Sequence, residues 1–329
     1  MAYSARNAVL PGVSASTLAL FFRELAVLLE AGLPLDDALE SAGMTGAPQL
    51  AYAARELARG VRDGQPVSAG IRAFGTLFHP VIPAIIAAAE QSGDLAGACR
   101  TLESYFNFET GIVRSVKQAL QYPAMTLIVA VLATTVLFWI GFLPVKYVYL
   151  PLALIAAAVV LFLFFRLRST QALARYLIMP VPFFGTLVRQ LAIARFCNTF
   201  ASLIRAGVPY LEGLETTIPV VQHPLVAAGV RNVYFAVRNG NTVQDSIRAE
   251  MTFPPVVINL VGAGEVAGTL DEALFKAAKL LQDDAEYKIR AAAKTAGPLM
   301  TILVGIIVLL IAVGFLGSYF DKILGLANE

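Results

Sequence analysis

Charge is scarce in this 329-residue chain: Asp, Glu, Lys and Arg make up 15% of it, against roughly 25% in ordinary soluble proteins. The 25 basic and 23 acidic residues nearly cancel, so no net field favours nucleic acid as a partner. Cysteine is almost absent. Cys99 and Cys197 are single and fall at non-equivalent positions of the repeat described below, which favours small core residues over a disulfide or metal pair. The two histidines, His79 and His223, each precede a proline and read as turn or surface residues. No cluster of His, Cys and carboxylates has metal-ligand spacing. No Gly-x-x-x-x-Gly-Lys-Ser/Thr loop is present, so any nucleotide-driven energy comes from another chain. Gly262-x-Gly264-x-x-x-Gly268 has the wrong spacing for a dinucleotide fingerprint and follows no strand. Sustained alternation of apolar and polar residues is missing too, so no sheet is expected. The chain reads as a non-enzymatic protein with no cofactor.

What is plentiful is apolar surface, at 57% of residues. It is concentrated. Three windows, Gln118 to Val145, Tyr147 to Phe165 and Thr295 to Phe320, hold no charged residue. A bilayer core needs roughly 20 apolar residues of helix. Ala124–Leu143 and Leu299–Phe320 supply a span each, and Tyr147–Phe165 a shorter one. Basic residues flank one side of each window: Arg114 and Lys117 before the first, Arg166, Arg168 and Arg175 after the second, Lys288, Arg290 and Lys294 before the third. By the positive-inside rule the amino terminus is cytoplasmic. The chain then crosses out and back through a very short connection, forms a second cytoplasmic section, and crosses out again. The first twenty residues lack the pattern of a signal peptide, so insertion is expected to use the spans themselves.

The two cytoplasmic sections repeat one another at an offset of about 175 residues. Phe21 matches Phe196, Ala31-Gly32 matches Ala206-Gly207, Pro34 matches Pro209 and Leu39-Glu40 matches Leu214-Glu215. Further on, Phe78 matches Phe253, Glu90 matches Glu265, Gly93 matches Gly268 and Leu95 matches Leu270. The match continues to Pro123 and Pro298. A duplicated unit follows, each copy a helical domain leading into a span. The second span is the added element that returns the chain to the cytoplasm.

Helical spacing dominates each copy. Leu18, Phe21, Phe22, Leu25, Leu28 and Leu29 recur at intervals of three and four, one apolar stripe. Gly32 ends that helix where a left-handed backbone favours glycine, and Pro34 suits the first turn of the next; Gly207 and Pro209 repeat the device. Further helices are expected over Pro48–Arg62 and Pro224–Arg238, Val67–Ala73 and Val243–Ala249, Pro80–Ser92 and Pro255–Ala267, and from Leu95 and Leu270 onward into the spans. The fold class is therefore all-α: two homologous cytoplasmic six-helix bundles and three transmembrane helices. In residue numbers this is a loose arm at 1–13, a first bundle at 14–121, spans at 122–145 and 147–165, a second bundle at 166–297, a third span at 298–320 and a short external tail at 321–329.

A second corner carries the most chemistry. The copies read Ala89-Glu90-Gln91-Ser92-Gly93-Asp94-Leu95 and Gly264-Glu265-Val266-Ala267-Gly268-Thr269-Leu270. Gly93 and Gly268 can close one helix, and Asp94 and Thr269 can cap the next. Glu90 and Glu265 end otherwise apolar helices, so each carboxylate needs N–H groups or an arginine as partner. Two roles stay open for them, a fold-defining hydrogen bond and a polar contact to a partner protein.

These residues resemble the type II secretion system F / type IV pilus inner-membrane platform family. The resemblance rests on Phe-x-Arg-x-Leu-Ala-x-Leu-Leu-x-Ala-Gly-Leu-Pro-Leu at 21–35, on Phe-Ala-Ser-Leu-Ile-Arg-Ala-Gly-Val-Pro at 200–209, on the paired Glu-x-x-Gly-x-Leu corners and on Tyr122-Pro123. It covers residues 17 to 320. It implies a non-enzymatic protein that oligomerises in the inner membrane, contacts a cytoplasmic assembly ATPase, and meets pilin or pseudopilin subunits and other inner-membrane assembly proteins. The stretch between the first two spans is shorter here than the resemblance implies. Two other functions are compatible with a polytopic helical protein. A small transporter or channel would normally place ionisable residues inside its spans, and none is there. A membrane-bound signalling adaptor is the third possibility.

Overall fold

A computed structural model describes the backbone of residues 13–45, 47–75, 78–139, 182–221 and 223–326. Within 119–139, 182–184 and 296–326 only some side chains, or none, belong to the described residues. Residues 1–12 of the arm expected at 1–13, the connection and second span up to residue 165, and Arg166, Arg168 and Arg175 lie outside them.

The described residues are helical throughout, with no strand. The helices are α1 (Ala15–Glu30), α2 (Leu35–Met44), α3 (Pro48–Arg62), α4 (Val67–Ala73), α5 (Val81–Ser92), α6 (Leu95–Trp139), α7 (Pro182–Arg205), α8 (Tyr210–Thr217), α9 (Pro224–Arg238), α10 (Val243–Ala249), α11 (Pro255–Ala267) and α12 (Leu270–Leu326). The sequence α1–α6 is repeated as α7–α12.

Local chemistry explains these bounds. Ser14 opens α1 by accepting the Thr17 N–H at 3.2 Å. The α1 helix ends with a doubled bond, Gly32 N–H to Leu29 C=O at 3.0 Å and Leu33 N–H to Leu28 C=O at 3.1 Å. Gly32 takes φ 83 there, a backbone that costs a side-chain-bearing residue about 1–2 kcal/mol. The second copy closes α7 alike, with Gly207 at φ 86 and Val208 N–H bonded to Leu203 C=O at 3.0 Å. Pro34 and Pro209 precede α2 and α8 in extended conformation. They are capping residues rather than first-turn residues, because the chain must turn out of the glycine corner before the helix can start.

Each copy has its own apolar core. Phe22, Leu39, Leu50, Ile82, Ile85 and Leu102 are buried in the first. Phe196, Phe200, Leu214, Val230, Val257 and Leu274 are buried in the second. Full burial of one such side chain stabilises by about 1.5–3 kcal/mol. The Phe22 and Phe106 rings stack at 5.9 Å, as do Phe196 and Phe200.

The chain divides into two compact units, Met1–Val113 with Val188–Ala285, and Arg114–Leu187 with Glu286–Glu329. The first holds α1–α5 and α8–α11 with the adjoining parts of α6, α7 and α12. In the second, α12 contains Pro298, and Arg290 pairs with Glu286 one turn away at 3.5 Å. The backbone of α6 is helical into the first charge-free window and that of α12 through the third, past Phe320 to Leu326. A tail starting at 321 is thus helical over its first six residues. Among the described residues no helix is long and apolar enough to cross a membrane.

Candidate functional site

The two glutamate corners have one geometry. Glu90, half-buried at the end of α5, accepts the Ser68 hydroxyl at 2.5 Å and the Ser68 N–H at 3.3 Å. Glu265, at the end of α11, accepts the N–H groups of Val243 and Gln244, both at 2.8 Å. In each copy the carboxylate therefore satisfies donors at the start of a seven-residue helix, α4 or α10. The first N–H groups of a helix have no partner of their own, and the helix dipole favours a negative group there. A corner glycine sets the approach. Gly93 and Gly268 adopt φ 79 and φ 71, and open space surrounds both, so backbone conformation rather than crowding selects glycine. Asp94 then caps α6 by accepting the Gly97 N–H at 2.8 Å.

A second polar feature lies between the two copies, inside the first compact unit. Arg195 of α7 donates its Nε–H to both carboxylate oxygens of Glu109 on α6, at 3.0 and 3.1 Å. The pair is largely buried, with the side chains 21% and 18% exposed. Burial pushes the Glu109 carboxyl above its ordinary range, and the guanidinium partly pulls it back. The Tyr105 hydroxyl, one turn away, comes close to Thr199 of α7 without reaching hydrogen-bond geometry. His79 packs its ring 5.6 Å from Tyr105. Burial, reinforced by Arg195, lowers its pKa to about 4. Apolar contacts surround this seam: Leu203, Val208 and Val220 join the first core, and Phe108 packs on the second.

Glu90, Gly93, Glu265 and Gly268 are thus brought into two matching corners, and Gly32, Pro34, Gly207 and Pro209 into two others. Arg114, Lys117, Lys288, Arg290 and Lys294 lie on α6 and α12 within the second unit. Arg166 and Arg168 are outside the described residues. Of the turn-or-surface reading of the histidines, the surface part does not hold: His79 lies in the seam beside Tyr105 and His223 is 4% exposed. Cys99 and Cys197 are buried, which pushes both thiols up to about 12. Among the described residues no group of His, Cys, Asp and Glu could hold a metal ion. No motif shared by the two copies marks the Glu109–Arg195 pair. Its trace is a mismatch: Arg195 stands where the first copy has Leu20, while Glu109 has an acidic counterpart in Asp284.

Comparison with known proteins agrees with the duplication. A family model described as "Type II secretion system (T2SS), protein F" matches residues 21–143 and again 196–317. A type II secretion system protein F from Pseudomonas aeruginosa is 30% identical, the alignment covering 93% of this chain and 82% of that one. A type 4 fimbrial assembly protein PilC from Pseudomonas putida is 27% identical over 88% of this chain and 79% of its own length. A type IV pilus assembly protein PilC from Thermus thermophilus is 27% identical over 95% and 84%. With both halves matched separately by one family model, this chain belongs to the type II secretion system protein F family.

Proposed function

We propose that the protein is an inner-membrane platform of a type II secretion or type IV pilus assembly machine. In this reading three helices cross the membrane, the amino terminus is cytoplasmic, and two helical bundles face the cell interior. They receive the conformational change of a cytoplasmic assembly ATPase and pass it to pilin or pseudopilin subunits being drawn from the bilayer. The observation that carries the reading is the doubled bundle in a member of this family. Each copy ends in a helix that continues towards a charge-free stretch with basic residues before it. A movement of either bundle is then a movement of the helix it is built on.

The protein performs no bond-making step in this reading; its work is mechanical and its partners are proteins and lipid. Copurification or crosslinking with the neighbouring ATPase is expected from membranes containing both. Failure of the two to associate under crosslinking would refute the coupling. Reporter fusions test the topology separately. A fusion placed between Arg166 and Lys294 should report the cytoplasm, and a periplasmic signal would refute the orientation.

A further inference from the structure

The seam inside the chain leaves two faces without a counterpart. In the seam, the α7 side of the second copy covers the α5–α6 side of the first. The repeat therefore predicts an unused α1 side on the first copy and an unused α11–α12 side on the second. Exposure follows that pattern position by position. On the α7 side, Ser202 is 0% and Val208 4% exposed; their counterparts Val27 and Leu33 on the α1 side are 48% and 37% exposed. On the α5–α6 side, Val81 is 0% and Tyr105 1% exposed; their counterparts Val256 and Leu280 are 39% and 45% exposed. Leu20, the counterpart of Arg195, is itself 42% exposed.

These residues are apolar where solvent-facing helix positions are usually charged. On the α1 face, Leu20, Arg23 and Val27 form one stripe at helical spacing, with Arg23 exposed. On the α12 face, the exposed Leu280 stands between Lys276 and Asp283, both exposed, and Asp284 accepts from Gln190 Nε2 of its own copy at 2.6 Å.

We propose that a second copy of this chain docks here: the α1 face of one copy packs on the α11–α12 face of the next, repeating between chains the seam already present within each. The contact is heterologous, since the two surfaces differ. Such contacts build a ring when the rotation closes, and the repeating element would be the bundle rather than the chain. The inference supplies a surface for the self-association contained in the platform reading and rests on that reading.

Two variants of the full-length protein that each add one cysteine, L20C and L280C, test it. Their counterparts face each other across the seam, Arg195 pairing with Glu109 one turn from Tyr105, and the native Cys99 and Cys197 are buried. Coexpressed in membranes and treated with a short thiol crosslinker, the two variants should give a covalent dimer; neither variant alone should. The substitution V27D, on the exposed stripe of α1, should reduce the crosslink at least several-fold. Crosslinking of L280C to itself would mean a symmetric contact and overturn the proposal. An oligomer by light scattering that yields no 20-to-280 crosslink would overturn the proposal and leave self-association standing. A monomer would overturn both.

Discussion

The two bundles can be compared residue by residue at the end of their first helices. In the first, Glu30 at the end of α1 meets Arg100 on α6 at 2.7 Å, and Glu103 joins from the next turn at 3.2 Å. In the second, the position of Glu30 holds Arg205 and that of Arg100 holds Phe275. The guanidinium lies 4.2 Å over the Phe275 ring and pairs with Asp271 at 3.1 Å. One helix pair is thus tied by different chemistry in the two copies. The α2–α3 contact differs as well: Arg62 reaches Asp36, Asp37 and Glu40, while Leu211 replaces Asp36 in the second copy. By contrast, the glycine corners and the glutamate caps are kept in both. Interactions that fix the chain path are retained because a helix end offers few alternatives. Surface ties are free to change, since many side-chain pairs can join two helices already held by their cores.

The seam between the bundles offers the sharpest test of this distinction, because it occurs once. Arg195→Met leaves Glu109 without its partner in a largely buried place and should cost about 3–5 kcal/mol of stability. Adding Glu109→Gln should recover most of it, read by thermal unfolding of the solubilised protein. The pH dependence has a definite sign. A carboxyl whose folded pKa is raised contributes stability that is present below the ordinary carboxylate range and is lost as pH rises through the raised value. Removing Arg195 raises it further, so the deficit of the single variant should grow from pH 5 to pH 8. A deficit independent of pH would show that packing, not charge, holds the seam.

His79 supplies a step of opposite direction. Its pKa is lowered from 6.5 to about 4 by burial and by Arg195. A lowered histidine contributes stability that is present above its unfolded value and is lost as pH falls through the folded one. About 3 kcal/mol should disappear between pH 7 and pH 4. His79→Asn should remove that step, and an unchanged acid profile in this variant would place the histidine in solvent.

The glutamate corners should respond unequally. Glu265→Gln gives up one of two short bonds to helix N–H groups, and a loss of about 2 kcal/mol is expected. Glu90→Gln acts on a longer N–H bond and a hydroxyl that can reorient, so about 1 kcal/mol is expected. Equal losses would argue that the corners share one energetics as well as one shape. The smallest effect belongs to the variable tie: Arg205→Gln should cost about 0.5–1 kcal/mol, the range for an exposed cation over a ring. A larger loss would mean that this contact also directs the chain.

Much of this was legible in the residue order. Helix bounds over Pro48–Arg62, Val67–Ala73 and Pro255–Ala267 follow from apolar spacing and from the prolines and glycines that bracket them. The duplication follows from aligned Gly, Pro and Glu, since those residues answer to local backbone geometry that recurs wherever the turn recurs. The partners of Glu90 and Glu265 were not legible, because Ser68 and Val243 lie some twenty residues away and become neighbours only when α4 and α10 fold back. That His79 faces the seam is not legible for the same reason; a His-Pro pair marks a turn but does not tell which way the turn faces.

What the sequence determined by itself is therefore the all-helical class, the doubling and its corners, all set by interactions within a few residues along the chain. Tertiary structure decided which copies of equivalent positions are covered. Leu20 and Arg195 share one place in the repeat, yet one is open and the other lies in the seam. Burial is a property of what packs against a residue, and a duplicated chain has one internal neighbour for two equivalent faces.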